Sequence, residues 1–388
     1  MVYRIRKMNI GLDCLLACVY FLALPLTITT GASGSSFLKV ITIPIAGYFA
    51  VSLIFYKDKF VFNSIHCFSA LFLISTAVTL FADSSSASLI YVRGYIETIG
   101  LMFLITVKKY NENEIKAFEI AQLMLLFVMI CLGFAGADWY GGRNTMTIFG
   151  ATSDPNYFIG FFILPTTVAL KKLRENKIYA VICSVMILLT GYIVLSSGSR
   201  GGLLAWIVTV VSYVFINAKS AKQRLIGMAA AFFAAVALWT IVIPLLPETV
   251  SSRFSIEAVL KSRGTARADI WESMFETIRN STWELLSGRG ITAYHRMVVD
   301  GRVEYVVAHN QFIQALYNQG ILGFLSFALM SFAAVLRNIK KRGYISSAML
   351  GMLALAMTLS VNPSIKSYWN LLIYSAFCFQ TSESTEGS

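Results

Sequence analysis

The chain has 388 residues, 57% of them apolar and only 13% charged, whereas charged residues approach one quarter of an ordinary soluble domain. That balance excludes a soluble enzyme and points to a chain that lives in lipid. The formal net charge of +12 needs no nucleic-acid partner, because most of the basic residues fall where membrane orientation and anionic lipid account for them.

Hydropathy and helix breakers place spans near 9–29, 36–56, 61–81, 88–107, 117–136, 155–170, 178–197, 202–217, 226–246, 310–335, 344–360 and 366–380. The first, behind Met1 to Lys7, resembles a signal peptide but lacks a small-residue cleavage site, so it is expected to be retained. With the N-terminus inside, alternate connections collect 19 of the 32 basic residues, among them Lys108 and Lys109, Lys171 and Lys172, Lys219 and Lys222, and Arg337 to Arg342. The intervening connections are rich in Ser and Gly, as the positive-inside rule requires of outward ones. The expected fold is an all-α polytopic membrane protein of about twelve transmembrane helices with a large outer loop containing short helices. It divides into 1–140 (about five spans), 141–246 (central spans with outward arginines), 247–309 (the outer loop), 310–380 (the last spans) and 381–388 (an inner tail).

Within the fourth span Arg93 and Glu97 stand four apart, so they can pair on one helix face and line a cavity. Ser197-Gly-Ser-Arg200-Gly-Gly202 lies at an outward turn, where glycine permits close approach and the following helix offers its N-terminal amides. Segment 247–309 is too long to be a passive link and uses Arg heavily against eight acidic residues; salt bridges would account for at least half of those arginines. In it, Arg267, Trp271, Met274 or Phe275 and Ile278 recur at helical spacing, giving an amphipathic helix that either lies on the membrane surface or caps the bundle. Guanidinium forks bind phosphate oxygens bidentately, so Arg200, Arg267 and the Ser287-Gly-Arg289-Gly290 turn form a candidate diphosphate clamp.

From Ala308-His309-Asn310 onward, a helical projection puts His309, Leu316, Gly320 and Gly323 near one face, with the imidazole at the outer mouth and the glycines allowing close packing below. An imidazole there can accept a proton from a hydroxyl nucleophile, although a capping or interface role is the commoner fate of a lone histidine. His66, inside an apolar span, and His295 lack this setting and read as structural or loop residues. The six cysteines sit singly in apolar stretches, and three scattered histidines without a carboxylate cluster offer no metal site. Tyr3, Trp139, Tyr140, Tyr157 and Trp369 fall near expected interfaces, as aromatic belts do.

Together, Arg143, Phe149-Gly150, Ser153-Asp154-Pro155-Asn156, Ser199-Arg200-Gly201-Gly202, Arg267, Trp271, Gly288-Arg289-Gly290 and His309-Asn310 with Gly320 and Gly323 resemble the bacterial O-antigen ligase and O-antigen polymerase family. The resemblance covers roughly the second half of the chain. It implies a glycosyltransferase of GT-C-type architecture in the cytoplasmic membrane, active on its outer face without metal or other cofactor, whose donor is an oligosaccharide on undecaprenyl diphosphate. His309, Arg267 and Arg200 would be catalytic, and Arg289, Arg143, Asn310 and Arg263 substrate-binding. Besides donor, glycan acceptor and membrane lipid, flippase or chain-length proteins are candidate partners. The preferred acceptor is the next lipid-linked repeat unit, making the chain a polymerase; a ligase acting on lipid A core, cell wall or protein is the alternative, and a flippase the more distant one.

Overall fold

A computed structural model describes residues 10–28, 37–57, 59–139, 142–255, 257, 267–299, 302–363 and 365–379. Each of the twelve hydropathic segments contains a helix. They are α1 (Leu12–Ala23, extended as a 3-10 turn to Ile28), α2 (Leu38–Ile54), α3 (Ser64–Val78), α4 (Ser86–Thr106), α5 (Glu112–Phe134), α6 (Pro155–Lys172), α7 (Lys177–Ser196), α8 (Arg200–Asn217) and α9 (Ala221–Ala237, continuing irregularly to Leu245). After short α10 (Glu248–Ser251), α11 (Arg267–Arg279) and α12 (Thr282–Ser287) come α13 (Gln311–Asn338), α14 (Gly343–Ala356) and α15 (Lys366–Ala376). Seven of the described helices are long and apolar enough to cross a bilayer, so the chain is a multi-pass membrane protein.

Helix starts follow from side chains that compete with the backbone outside a helix and cap it at its edge. Asn63 and His66 form a capping box on α3, as do Asn111 and Glu114 on α5. Asp154, Asn176, Ser199 and Asn310 cap α6, α7, α8 and α13. The connection from α5 to α6 is two small hairpins, β2 (Ala137–Trp139) with β3 (Arg143–Thr145) and β4 (Thr147–Ile148) with β5 (Ala151–Thr152). At the tip of the second, Phe149 (φ 48°) and Gly150 (φ 81°) both take left-handed backbone, as a tight hairpin turn demands.

Several expectations need correction. The segment 366–380 holds only an 11-residue helix, buried from Ser367 to Ala376 at the centre of the bundle, after which β8 (Cys378–Phe379) pairs in parallel with β1 (Lys109–Tyr110). Trp369 is part of that core, donating its indole N–H to the Asn362 carbonyl at 3.0 Å, and is no interfacial anchor. Tyr3 and Tyr140 lie outside the described residues. The long loop carries a β-hairpin besides its helices, β6 (His295–Val299) with β7 (Arg302–Val306). Most instructive is α13, where Gly320 adopts φ 68°, ψ −165° and breaks the helix instead of smoothing its packing. The break frees the Tyr317 and Asn318 carbonyls, which accept from the amides of Arg289 (3.0 Å) and Gly290 (3.1 Å). A Cβ on Gly320 would stand 2.3 Å from the Leu286 carbonyl oxygen, and one on Gly288 2.2 Å from that of Asn318, so glycine is required on both sides of the contact. His309 precedes α13 and therefore shares no helical face with Gly320.

Contacts sort the connections into two sets, one at each end of the bundle. One end, the basic end, gathers lysines that find carboxylates: Lys108 reaches Asp13 at 2.5 Å, and Lys171 and Lys172 both reach Glu119, which is buried and also accepts from the Tyr344 hydroxyl. The opposite end holds Arg143, Arg200, Asp154, the described part of the long loop and His309. Among its ties, Thr292 donates to Asp83 at 2.9 Å, and the Val361 amide to Gln311 at 2.6 Å.

Candidate active site

At the C-terminal end of α7 three successive constraints gather arginines. Gly198 turns the chain with φ 59°, and a Cβ there would meet Arg253 Cδ at 3.2 Å and Arg143 Cγ at 3.3 Å, so both arginine stems lie against this glycine. The exposed carbonyls of a helix C-terminus attract cations. Accordingly Arg143 donates Nε–H to the Ser197 carbonyl at 3.0 Å, and Arg253 donates Nε–H to that of Gly198 at 2.9 Å. Arg200, first residue of α8, donates Nε–H to the Arg253 carbonyl at 2.6 Å. In all three the Nε position is committed to backbone. Burial foremost, and then the charge of Arg253, makes the Arg143 guanidinium less easily held as a cation than in water. Like charges gathered in this way favour an anion in their midst.

A second group adjoins the first. Asp154 caps α6, its Oδ1 accepting from the Asn156 amide at 2.7 Å and from the Asn156 side chain at 2.9 Å. Asn156 in turn accepts from Ser199, the residue that caps α8, so the two helix starts are tied together. Asp154 feels the charges of Arg143, Arg267 and His309. Arg267, at the first turn of α11, is half-buried and has no hydrogen-bond or ion-pair partner among the described residues. Burial lowers its pKa and Asp154 opposes that effect.

His309 is held in left-handed backbone, φ 47°, which is uncommon for a residue with a side chain and is tolerated where surrounding contacts fix it. Those contacts are on both sides. Trp271 of α11 donates its indole N–H to the Ala308 carbonyl at 2.7 Å, and Asn310 accepts from the amides of Phe312 (3.0 Å) and Ile313 (3.4 Å). The ring itself is open to solvent and makes no hydrogen bond among the described residues. Burial of its surroundings first, and the Arg267 charge second, lower its pKa, while Asp154 works the other way. The shift favours the neutral imidazole, the form that accepts a proton.

The structure therefore brings together Arg200, Arg143, Arg267 and His309, and adds Arg253 and Asp154. Nothing in the spacing distinguished Arg253 from the loop's other arginines, and Asp154 entered only as part of a resembling motif. Asn310 is buried as a helix cap, its Oδ1 occupied by backbone amides. Arg289 belongs to a different cluster: it faces Glu284 at 3.6 Å and the Tyr317 hydroxyl at 3.3 Å, beside His295, which bonds Ser273 and Tyr317. Arg263 lies outside the described residues. The buried stripe of α11 is Ile270, Met274 and Ile278, packed with Tyr317 and Ala308, so this helix caps the bundle, with Arg267 at the head of its stripe. His66 is structural, caught between the Asn63 amide and the Thr106 hydroxyl.

A cavity of about 540 Å³ opens on the other side of Asp154, between the ends of α1, α2, α4, α6 and α15. Glu97 lines it, bonded to Arg93 at 2.7 Å and facing Lys39 at 3.9 Å.

No curated protein matches the chain. Residues 185–328 match the family model described as O-antigen ligase, a segment that runs from α7 through Arg200, Arg253, Arg267 and His309 into α13. Over this segment the chain is similar to the O-antigen ligase family.

Proposed function

We propose that the chain transfers glycan from undecaprenyl diphosphate to a hydroxyl of an acceptor at the outer face of the bacterial cytoplasmic membrane. The observation that carries this reading is the meeting of three backbone-anchored arginines with Arg267 and with His309, whose ring makes no hydrogen bond among the described residues. In the reaction the acceptor oxygen forms a bond to the anomeric carbon, and the bond from that carbon to the diphosphate breaks. The diphosphate leaves with the electron pair, and the hydroxyl proton passes to His309. A single displacement of this kind inverts the anomeric centre. Negative charge grows on the leaving diphosphate, so guanidinium groups already fixed in place stabilise the transition state more than the ground state. They supply the neutralising charge that a metal ion provides in other diphosphate chemistry, so transfer is expected to persist in chelator.

In the same reading the chain crosses the membrane about twelve times in a GT-C-type architecture, the last crossing made by the buried α15 together with the extended β8, and the long loop 247–309 faces outward as the catalytic segment. The sorting of basic residues to the opposite end supports that orientation. The description of the matching family favours the ligase form of the reaction, with a terminal envelope acceptor, over the polymerase preferred from the sequence. Reconstitution with lipid-linked repeat units alone separates the two. A ligase should make no dimer until membrane, wall or protein acceptors are added and should then transfer in one step. A ladder of lipid-linked products rising by one repeat would establish polymerisation instead, and glycan moved across the bilayer without bond formation would remove the case for catalysis.

A further inference from the structure

The left-handed backbone of His309, φ 47°, is costly for a residue with a side chain, so its neighbours must be fixed from outside. Both polar backbone groups of Ala308 are. Its carbonyl accepts from Trp271 of α11 at 2.7 Å, and its N–H donates to the side-chain oxygen of Gln314, one turn into α13, at 2.8 Å. Ala308 is fully buried, so neither group has water as an alternative partner. On the other side Asn310 is held as the cap of α13. His309 is thus an exposed residue between two buried, tethered ones.

Gln314 is itself oriented. Its amide nitrogen donates to Asn318 Oδ1 at 2.7 Å, one turn further along α13, and the Asn318 amide nitrogen donates to the Ile291 carbonyl of the long loop at 2.7 Å. Each side-chain amide accepts on one side and donates on the other, from the Ala308 N–H through Gln314 and Asn318 to the Ile291 carbonyl. Reversing Gln314 would set its NH2 against the Ala308 N–H, so the two backbone ends dictate the direction of the whole chain. Gln314 and Asn318 are buried, where an unpaired amide is costly, so the links hold together or fail together. We propose that Gln314 is a positioning residue for transfer: with Trp271 it clamps Ala308 and so sets where the His309 imidazole stands. The proposal rests on the transferase reading for the role of His309, but the clamp can be observed without catalysis.

The test compares Gln314→Met, Gln314→Glu and Trp271→Phe with the wild type, as full chains in lipid nanodiscs. The measurements are steady-state kinetics with lipid-linked glycan at saturating acceptor, and hydrogen exchange at the Ala308 amide. Methionine fills the space of glutamine but cannot take its place as acceptor. In Gln314→Met, kcat should fall by about ten- to a hundred-fold, the order that a displacement of about 1 Å costs, with donor KM unchanged and faster exchange at Ala308. Glutamate brings a charge into a buried place but keeps an acceptor for the Ala308 N–H, so Gln314→Glu should recover most of the rate. Packing alone would rank the two the other way, with the apolar side chain better tolerated. Trp271→Phe keeps a ring, loses the N–H and should lower kcat in the same manner. Wild-type kcat in folded Gln314→Met or Trp271→Phe, or a Gln314→Glu protein slower than Gln314→Met, overturns the proposal. Faster Ala308 exchange in Gln314→Met, together with a His309→Gln protein that turns over at the wild-type rate, would uphold the clamp and sink the transferase reading of His309.

Discussion

The two ends of the bundle handle cations differently. At the basic end ammonium groups are consumed by carboxylates: Lys172 sits 2.9 Å from Glu119 and 2.7 Å from Glu175, and both Lys172 and Glu119 are buried. At the other end Arg143, Arg200 and Arg253 are oriented by carbonyl oxygens through Nε, and Arg267 meets no acid within ion-pair distance among the described residues. A carbonyl fixes a guanidinium without neutralising it. Pairing therefore builds the fold at one end, while at the other Arg289 pairs with Glu284 but Arg143, Arg253 and Arg267 meet no carboxylate within ion-pair distance among the described residues and keep their charge for a ligand.

The largest expected effect divides the ends by what is lost. His309→Ala should reduce turnover by about 10²- to 10⁴-fold, the range that general-base catalysis contributes, with the protein remaining folded. Glu119→Ala should do the opposite, costing about 3 to 5 kcal/mol of stability, because it leaves two lysines without a shared partner. Turnover per folded molecule, with denaturation followed in parallel, checks both. A Glu119→Ala protein of normal stability would remove the distinction drawn between the ends.

Next in size is Arg253→Ala, expected to weaken donor use by about ten- to a hundred-fold through loss of a charge-assisted contact worth roughly 1.5–3 kcal/mol. Steady-state kinetics with lipid-linked glycan should register it, and an unchanged donor KM would place Arg253 among the structural arginines.

A smaller effect sharpens the electrostatics. The cation at Arg267 disfavours an imidazolium at His309, so the rising limb of rate against pH should lie below the ordinary histidine value of 6.5. Removing that cation with Arg267→Gln should restore part of the lost basicity and move the limb to higher pH. A normalised pH profile that does not move would show that burial alone sets the histidine.

The smallest expected effect concerns Asp83, whose carboxyl is held down to about 2 by hydrogen bonds, first from Ser88, then from the Ser85 amide and from Thr292 of the long loop. With its folded pKa below the unfolded value, the carboxylate stabilises the loop's attachment above about pH 4, and this contribution fades as pH falls toward 2. Hydrogen exchange across residues 290–293 should quicken modestly in Asp83→Asn at neutral pH. Equal protection in the two proteins would mean that the backbone bonds to α13 hold the loop unaided.

The helices were legible because each signal is local: an apolar run of sufficient length, a Ser, Asn or Asp at its start, and lysines gathered at alternate ends. The short buried α15 was not, since hydropathy cannot tell a helix surrounded by protein from one surrounded by lipid. The break at Gly320 escaped notice because its cause, the backbone of residues 286–290 pressed against α13, lies some thirty residues away in sequence. In the site, His309, Arg200 and Arg267 could be picked out by their chemistry and by family resemblance. Arg253 could not, because what sets it apart is the Gly198 carbonyl, a long-range contact on which the spacing of loop arginines is silent.

The most direct test of the central claim, that anchored guanidiniums and His309 form one glycan-transfer site, is undecaprenyl diphosphate released per glycosidic bond formed. It should be measured for wild type and His309→Gln with a saturating acceptor at neutral pH. The account predicts one diphosphate per bond in the wild type, and at least about a hundred-fold slower release in the variant with donor still bound. Release at close to the wild-type rate from folded His309→Gln would contradict it.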